Sequence, residues 1–449
     1  MSNDNSFIAS PTSTKHPKGL YMLFMVEMWE RFNYYGMRAL LTLFMIGAVI
    51  NFSKEDASQI YGTFVAFVYL APLFGGYIAD KFIGKRHSIT IGALFITSGQ
   101  IALACYELLP PRAALFMGLT LIIIGNGFFK PNVSAIVGEL YTPKDVKRDA
   151  GFTIFYMGIN LGAFLSPLIV GFLGQPIDIY TIDEAYKWKW GFLTAAAGMI
   201  VGLIVYLTCQ KKFLGNIGLQ PTNKAQSGKK IINEPLSSED WDKIKSILIL
   251  TSFAVFFMAF YEQAATSLTY FANEGVELIF MGIPLKSSYF QAINPIFILI
   301  LAPFFSRLWI KLGTKNPSTP SKFAFGLIIQ AVAFLIIALG ASIFMQGSRV
   351  SVLWLVCFYF LDTIAELCIS PVGLSVVTKL SPLKFVSFMM GLWLAANFIG
   401  SLIAGFFASF YEEMAISTLF LIPSVCCVVF GGVLFLFNKK IKGWMHGIK

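Results

Sequence analysis

Long apolar runs separated by short polar breaks fill this chain. Twelve of them reach the roughly 20 residues that a helix needs to cross a ~30 Å hydrocarbon core. They lie at 20–49, 56–80, 87–108, 113–140, 149–174, 189–209, 244–271, 287–312, 321–346, 350–379, 384–410 and 415–438. One polar interval stands apart. Residues 210–243, opening on Gln210-Lys211-Lys212 and containing Pro221-Thr222-Asn223, hold no run long enough to span and read as a linker. The pattern predicts an all-α membrane protein of two six-helix bundles, 20–209 and 244–438, with tails at 1–19 and 439–449. A polar start followed by a long helix bearing charges is unlike a cleavable leader, so the first span is expected to be retained.

Charge orients this arrangement. With the N-terminus on the cytoplasmic side, and residues near a span's end counted with the side they adjoin, six of the 34 Lys and Arg fall outside (Lys54, Arg112, Lys187, Lys189, Lys286, Arg349) and three lie deep within spans (Arg31, Arg38, Lys130). The other 25 are cytoplasmic, which places both termini inside. The net charge of +10 is thereby explained by topology, and no nucleic-acid partner is expected. Composition agrees: 56% of residues are hydrophobic and only 13% charged, too few for a water-facing surface. The six cysteines lack C-x-x-C spacing and sit mostly in apolar runs, where they read as packing residues with no disulfide or metal role.

The halves carry features at a nearly constant offset, the mark of a diverged repeat. Trp29-Glu30 answers Tyr261-Glu262, Gly84 answers Gly313, Lys130 answers Glu366, and Asn160 answers Asn397, at separations of 229 to 237 residues. Duplicated halves around a midplane site are the usual plan of secondary transporters.

The chemistry lies inside the spans. On the first, Glu27, Glu30, Arg31, Tyr34, Tyr35 and Arg38 share one broad helical face. Lys130 is mid-way along the fourth, Glu262 is on the seventh, and Asp362, Glu366 and Ser370 follow at i, i+4, i+8 on the tenth. Lys130 and Glu366 lie at similar depth, roughly 25 Å along their helices at ~1.5 Å per residue. Eight intramembrane ionisable side chains at ~3 kcal/mol each would cost roughly 24 kcal/mol if unpaired and lipid-exposed, so a polar interior is expected. Plainer readings stand beside this one. Glu27 and Arg31 also fit a stabilising i, i+4 pair, Lys130 and Glu366 a static brace, and Asp362 either a cavity or a solvated niche nearer the outer face. No His lies deep in a span, so if protons drive this chain, carboxylates must carry them. No phosphate-binding glycine loop, metal-ligand cluster or nucleophile–base set is legible, which disfavours ATP-driven transport and enzymatic hydrolysis and leaves no cofactor expected.

These residues resemble the proton-dependent oligopeptide transporters of the major facilitator superfamily. The likeness rests on Glu27-x-x-Glu30-Arg31 followed by Tyr34-Tyr35-Gly-Met-Arg38, the Gly75-to-Arg86 loop, Lys130-Pro-Asn, Phe155-Tyr156-Met-Gly-Ile-Asn160-Leu-Gly162, Glu262-Gln263, Asn294-Pro295 and Glu366-Leu-Cys-Ile-Ser370-Pro. It implies the major facilitator fold, twelve helices in two bundles with pseudo-two-fold symmetry, importing di- and tripeptides with protons by alternating access. By the same resemblance Arg31, Arg38 and Lys130 receive the peptide carboxylate and Glu366 its amino terminus. Asn160 and Asn294 contact the peptide backbone, and Tyr34, Tyr35, Tyr69, Ser370 and Trp393 shape side-chain pockets. Glu27, Glu30, Arg31 and Glu262 carry proton coupling, with Glu262 pairing to Arg38 and Glu366 to Lys130 in alternate states.

Three departures qualify the likeness. The linker is too polar for the two extra helices of many bacterial members, Gly62 stands where animal members carry a His, and Asp362 is outside the pattern. Alternatives are a carrier of another small anion or zwitterion and a transport-dead peptide sensor on the same fold. A bacterial inner-membrane location is expected, with no obligate protein partner.

Overall fold

The computed structural model describes residues 15–142, 145, 147–221, 236–382 and 386–447. Of the expected linker, residues 222–235 fall outside them, while the sixth span's helix runs on to Leu214 and the seventh's begins at Ser238. Helices α1 (Lys18–Ile46), α2 (Lys54–Ile78), α3 (Lys85–Ala104), α4 (Pro111–Glu139), α5 (Lys147–Gly174) and α6 (Lys187–Leu214) are the first six spans. The seventh is α7 (Ser238–Tyr261) continued by the short α8 (Ser267–Glu274). The remainder are α9 (Ile293–Leu312), α10 (Thr319–Met345), α11 (Leu353–Leu380), α12 (Val386–Ala408) and α13 (Ile416–Trp444). Among the described residues eleven helical segments are long and apolar enough to cross a membrane, with α7 and α8 counted as one. The 29-residue α1 matches them in length, and its buried charges are what lower its hydropathy.

The chain forms two compact units: Met1–Asn51 with Phe67–Lys229, and Phe52–Ala66 with Lys230–Lys449. The first half of α2 thus groups with the C-terminal helices. In the first unit α1 packs on α5 and α6, and α3 on α4 and α6. In the second, α7 packs on α12 and α13, and α10 on α11 and α13. Each unit therefore pairs its first span with its fifth and sixth, and its third with its fourth and sixth. That recurrence is what a duplicated six-helix ancestor leaves behind.

Local sequence accounts for the ends. Ser237 caps α7, its hydroxyl accepting from the Asp240 amide at 3.1 Å while the Asp240 carboxylate accepts from the Ser237 amide at 3.0 Å. The two equivalent loop glycines both adopt left-handed φ, 78° at Gly84 and 48° at Gly313, a conformation that costs other residues their Cβ clearance. After Gly84, Arg86 ties the α2–α3 turn to the end of α6: Nε donates to Gln210 Oε1 at 3.1 Å and Nη1 to the Gly215 carbonyl at 2.6 Å. Lys85 pairs with Glu139 and sits 3.7 Å from Asp80, fastening the same corner to α4. The Gly75-to-Arg86 motif is thus an architectural clasp.

Large apolar side chains such as Phe172, Phe304 and Leu436 are more than half exposed. On a soluble protein such a surface would drive aggregation, whereas in a bilayer it meets its own solvent. One element has no counterpart in the apolar pattern. Ile279–Phe280 and Ile283–Pro284 pair as a small antiparallel hairpin, β1–β2, turned by Met281 and Gly282, both at positive φ.

Candidate functional site

The candidate residues fall into two groups, one in each unit. In the first unit α1 holds a charged cluster in its packed interior. Glu27, Glu30 and Arg31 are at most 4% exposed, and Arg31 Nε lies 3.0 Å from Glu27 Oε1 and 2.5 Å from Glu30 Oε2. Within these three side chains one guanidinium faces two carboxylates, one negative charge in excess. Glu27 Oε2, Glu30 Oε1 and Arg31 Nη2 are buried without a hydrogen-bond partner among the described residues. Unmet polar atoms at this depth are costly unless a substrate, proton or water serves them.

Aromatic rings surround the cations. Arg31 lies over Tyr34 at 5.6 Å, Arg38 over Tyr35 at 5.7 Å, and Lys130 of α4 over Tyr69 of α2 at 4.8 Å. Tyr34 and Tyr35 meet edge to face at 5.4 Å. The structure therefore brings Glu27, Glu30, Arg31 and Tyr34 together, and Lys130 with Tyr69. Asn160 on α5 is buried, with its amide nitrogen donating to the Tyr156 carbonyl one turn back at 3.0 Å.

The second unit holds its polar groups on a broken helix. Between α7 and α8 the chain tightens into a 3-10 turn over Glu262–Ala265, followed by Thr266 at φ −121°, ψ −103°. The continuous seventh span expected from hydropathy is thus interrupted at its one carboxylate. Gln263 makes the break tolerable, since its Nε2 donates to the Ala259 and Ala404 carbonyls, both at 3.1 Å, and its Oε1 accepts from Ser267 at 2.7 Å. Broken helices at such depth are acceptable where the freed backbone is served in this way. Glu262 accepts from Tyr61 on α2 at 3.3 Å. Tyr61 went unrecognised in the sequence because an aromatic beside Gly62 reads as packing.

On α11, Glu366 is oriented from α9. Asn294 Nδ2 donates to Glu366 Oε2 at 3.0 Å and to Thr363 Oγ1 at 3.1 Å, and Asn294 Oδ1 accepts from Tyr261 at 3.3 Å. Asn294 and Glu366, expected to share the site, are in direct contact. Ser370 Oγ, one turn below Glu366, is buried without a hydrogen-bond partner among the described residues. Asp362, a turn above, is 1% exposed and hydrogen-bonded to Gln330 in the packed core.

Trp393 on α12 is 5% exposed, edge to face with Phe323 at 6.2 Å, and its six-membered ring lies on Gly373 of α11. A methyl at position 373 would overlap that ring. Gly373→Ala is therefore expected to displace the indole, to alter substrate side-chain preference at least several-fold and, since the ring is itself buried, to cost about 1–3 kcal/mol of stability. Competition by peptides of graded side-chain size checks this, and an unchanged preference order would remove Trp393 from the binding surface.

A sequence model of the POT family matches residues 86–234 and 222–425. Among curated proteins the chain is 38% identical to an uncharacterized transporter, YclF, of Bacillus subtilis, with 96% of both chains covered. It is 33% identical to the peptide transporter YePEPT of Yersinia enterocolitica (96% of both). It is also 32% identical to a di-/tripeptide transporter of Lactococcus lactis (96% and 97%). Among solved structures it superposes on a peptide transporter POT in complex with sulfate at TM-score 0.88 and 34% identity, 99% of each chain covered. A POT family transporter in complex with 5-aminolevulinic acid gives 0.87 and 30%, covering 97% and 99%. With the α1 charge cluster, the broken seventh span and the Asn294–Glu366 pair in place, the chain belongs to the POT family of multi-pass membrane transporters.

Proposed function

We infer that the chain is a proton-coupled symporter that imports di- and tripeptides by alternating access. The observation that carries this reading is Arg31, buried between Glu27 and Glu30 with its Nη2 donor unserved among the described residues. Protonating either carboxyl weakens its hold on the guanidinium and frees the cation for a substrate carboxylate. Proton and substrate are thereby linked through one coupling free energy.

Arg38 and Lys130 extend the carboxylate-binding surface, Asn160 and Asn294 serve the peptide backbone, and Tyr34, Tyr35, Tyr69, Ser370 and Trp393 shape its side-chain contacts. Glu366, steadied by Asn294, takes the amino terminus, and Glu262 shares in proton coupling. Relatives support a peptide-like substrate: two are named peptide or di-/tripeptide transporters, and one solved neighbour is in complex with 5-aminolevulinic acid, whose name gives both an amino and a carboxyl group. The polypeptide acts as a carrier and not as an enzyme, and the bacterial relatives together with the charge bias support an inner-membrane location with cytoplasmic termini.

One proton moving down 100 mV supplies ~2.3 kcal/mol, enough for roughly 50-fold accumulation of a net-neutral peptide. Uptake of labelled dialanine into proteoliposomes, with and without an imposed gradient and competed by peptides and by nitrate, tests the reading. Uptake that ignores the gradient, or that nitrate but no peptide displaces, overturns it. Glu366→Gln is expected to weaken dialanine at least tenfold and acetyl-dialanine far less, whereas equal losses would remove the amino-terminal assignment.

A further inference from the structure

Asp362 is a buried carboxyl that the scheme above leaves unused. Its Oδ1 accepts from Gln330 Nε2 of α10 at 3.2 Å; that nitrogen also faces the Phe257 carbonyl of α7 at 3.4 Å, and Gln330 Oε1 accepts from Cys427 Sγ of α13 at 3.4 Å. Gln330 and Cys427 are fully buried. Four helices thus close around one carboxyl, and among the described residues no Lys, Arg or His pairs with it.

Every group facing Asp362 is neutral except one. Phe257 offers its carbonyl, Gln330 an amide and Cys427 a thiol, and α12 carries no titratable side chain along its length. Tyr261 and Tyr359 direct their hydroxyls to Asn294 and to the Ala264 carbonyl. Lys322 is on α10 eight residues from Gln330, about 12 Å along the helix. The exception is Glu366, on the same face of α11 one turn away. Two carboxylates at that spacing repel each other when both are ionised. A structural role alone would be served as well by Asn, without the cost of a buried ionisable group.

We propose that Asp362 is a proton-exchanging partner of Glu366, the two carboxyls sharing one proton so that Asp362 sets the charge with which Glu366 meets the substrate's amino group. When an ammonium group docks, the shared proton rests on Asp362 and the negative charge on Glu366. On release the proton redistributes between the two carboxyls, and none is created or lost. Asp362 is a positioning residue acting through Glu366, and the proposal rests on the assignment of Glu366 to the amino terminus.

The test is the ratio of affinities for dialanine and acetyl-dialanine, measured by gradient-free exchange in proteoliposomes across the acid-to-neutral range. That ratio cancels the proton chemistry of α1, which both substrates share. In the parent protein the preference for a free amino group is expected to climb in two steps as pH rises, one for each proton of the pair, with a slope of up to about tenfold per pH unit. Asp362→Asn keeps the shape and should leave a single step. Gln330→Met keeps both carboxyls, removes the one donor to Asp362 seen among the described residues, and should displace the curve along the pH axis; it also serves if Asp362→Asn does not fold. A parent protein blind to the amino group at every pH overturns the Glu366 assignment and this proposal with it. A parent preference that the folded variants leave on the same curve overturns this proposal alone.

Discussion

Glu30→Gln is expected to reduce gradient-driven dialanine accumulation from roughly 50-fold to no accumulation, while leaving gradient-free exchange within a few-fold of the parent. Glu30 is fully buried and lies 2.5 Å from Arg31, closer than Glu27 at 3.0 Å. The amide preserves volume and still accepts a hydrogen bond, but it offers no exchangeable proton and no charge. Arg31 keeps Glu27 as counter-ion, so the cation is not stranded, and breaking a buried pair completely is what costs the most stability. Exchange asks only that the loaded carrier reorient. Accumulation also requires that proton movement be tied to that step. Parallel thermal unfolding separates a coupling defect from a folding defect, because a stable variant that exchanges without concentrating peptide has lost only the link. A Glu30→Gln protein that still concentrates dialanine like the parent, and a Glu27→Gln protein that does the same, would move the coupling role to Glu262.

The resemblance of the α1 motif to a transporter family was legible because a helix turns local spacing into a face: Glu27, Glu30, Arg31 and Tyr34 fall on one side at 100° per residue, and the structure brings them into contact. Hydropathy likewise located the spans, since about 20 apolar residues are what a bilayer demands. What escaped is what neighbouring helices decide. The interruption of the seventh span at Glu262–Ala265 depends on Gln263 reaching the Ala404 carbonyl 141 residues away, and nothing local announces that partner. Tyr61 as a donor to Glu262 and Gln330 as the donor to Asp362 are hidden for the same reason, each an ordinary residue on its own helix. The β1–β2 hairpin escaped because two short pairs around Met281-Gly282 make no periodic signal.

The approach of α5 to α1 sets up the second large effect. Gly162, two residues after Asn160, faces the turn of α1 that carries the charge cluster. A Cβ built there would overlap the Met28 carbonyl oxygen and lie 3.0 Å from both Arg31 Cβ and Phe32 N. Ser166, one turn along α5, donates to the Phe32 carbonyl, so the contact continues along the same seam. Small residues permit such backbone-to-backbone packing in membranes, where dispersion and close approach replace the hydrophobic drive. Two terms of opposite sign then compete in Gly162→Ala. Alanine favours the helix by about 1 kcal/mol over glycine, whereas overpacking costs about 1–3 kcal/mol when the neighbour cannot yield. The obstruction here is main chain, which no rotamer change relieves, so packing is expected to win and the variant to unfold at lower temperature than the parent. Because the displaced turn holds Glu27, Glu30 and Arg31, both exchange and accumulation should fall at least tenfold, unlike the coupling-only loss of Glu30→Gln. Gly432→Ala on α13, where an added Cβ meets nothing within 4 Å, provides the control and should be neutral or gain up to about 1 kcal/mol. Thermal unfolding in detergent with dialanine exchange on the same preparations decides the matter: a Gly162→Ala protein as stable and as active as the parent would mean that α1 and α5 have room to part without disturbing the cluster between them.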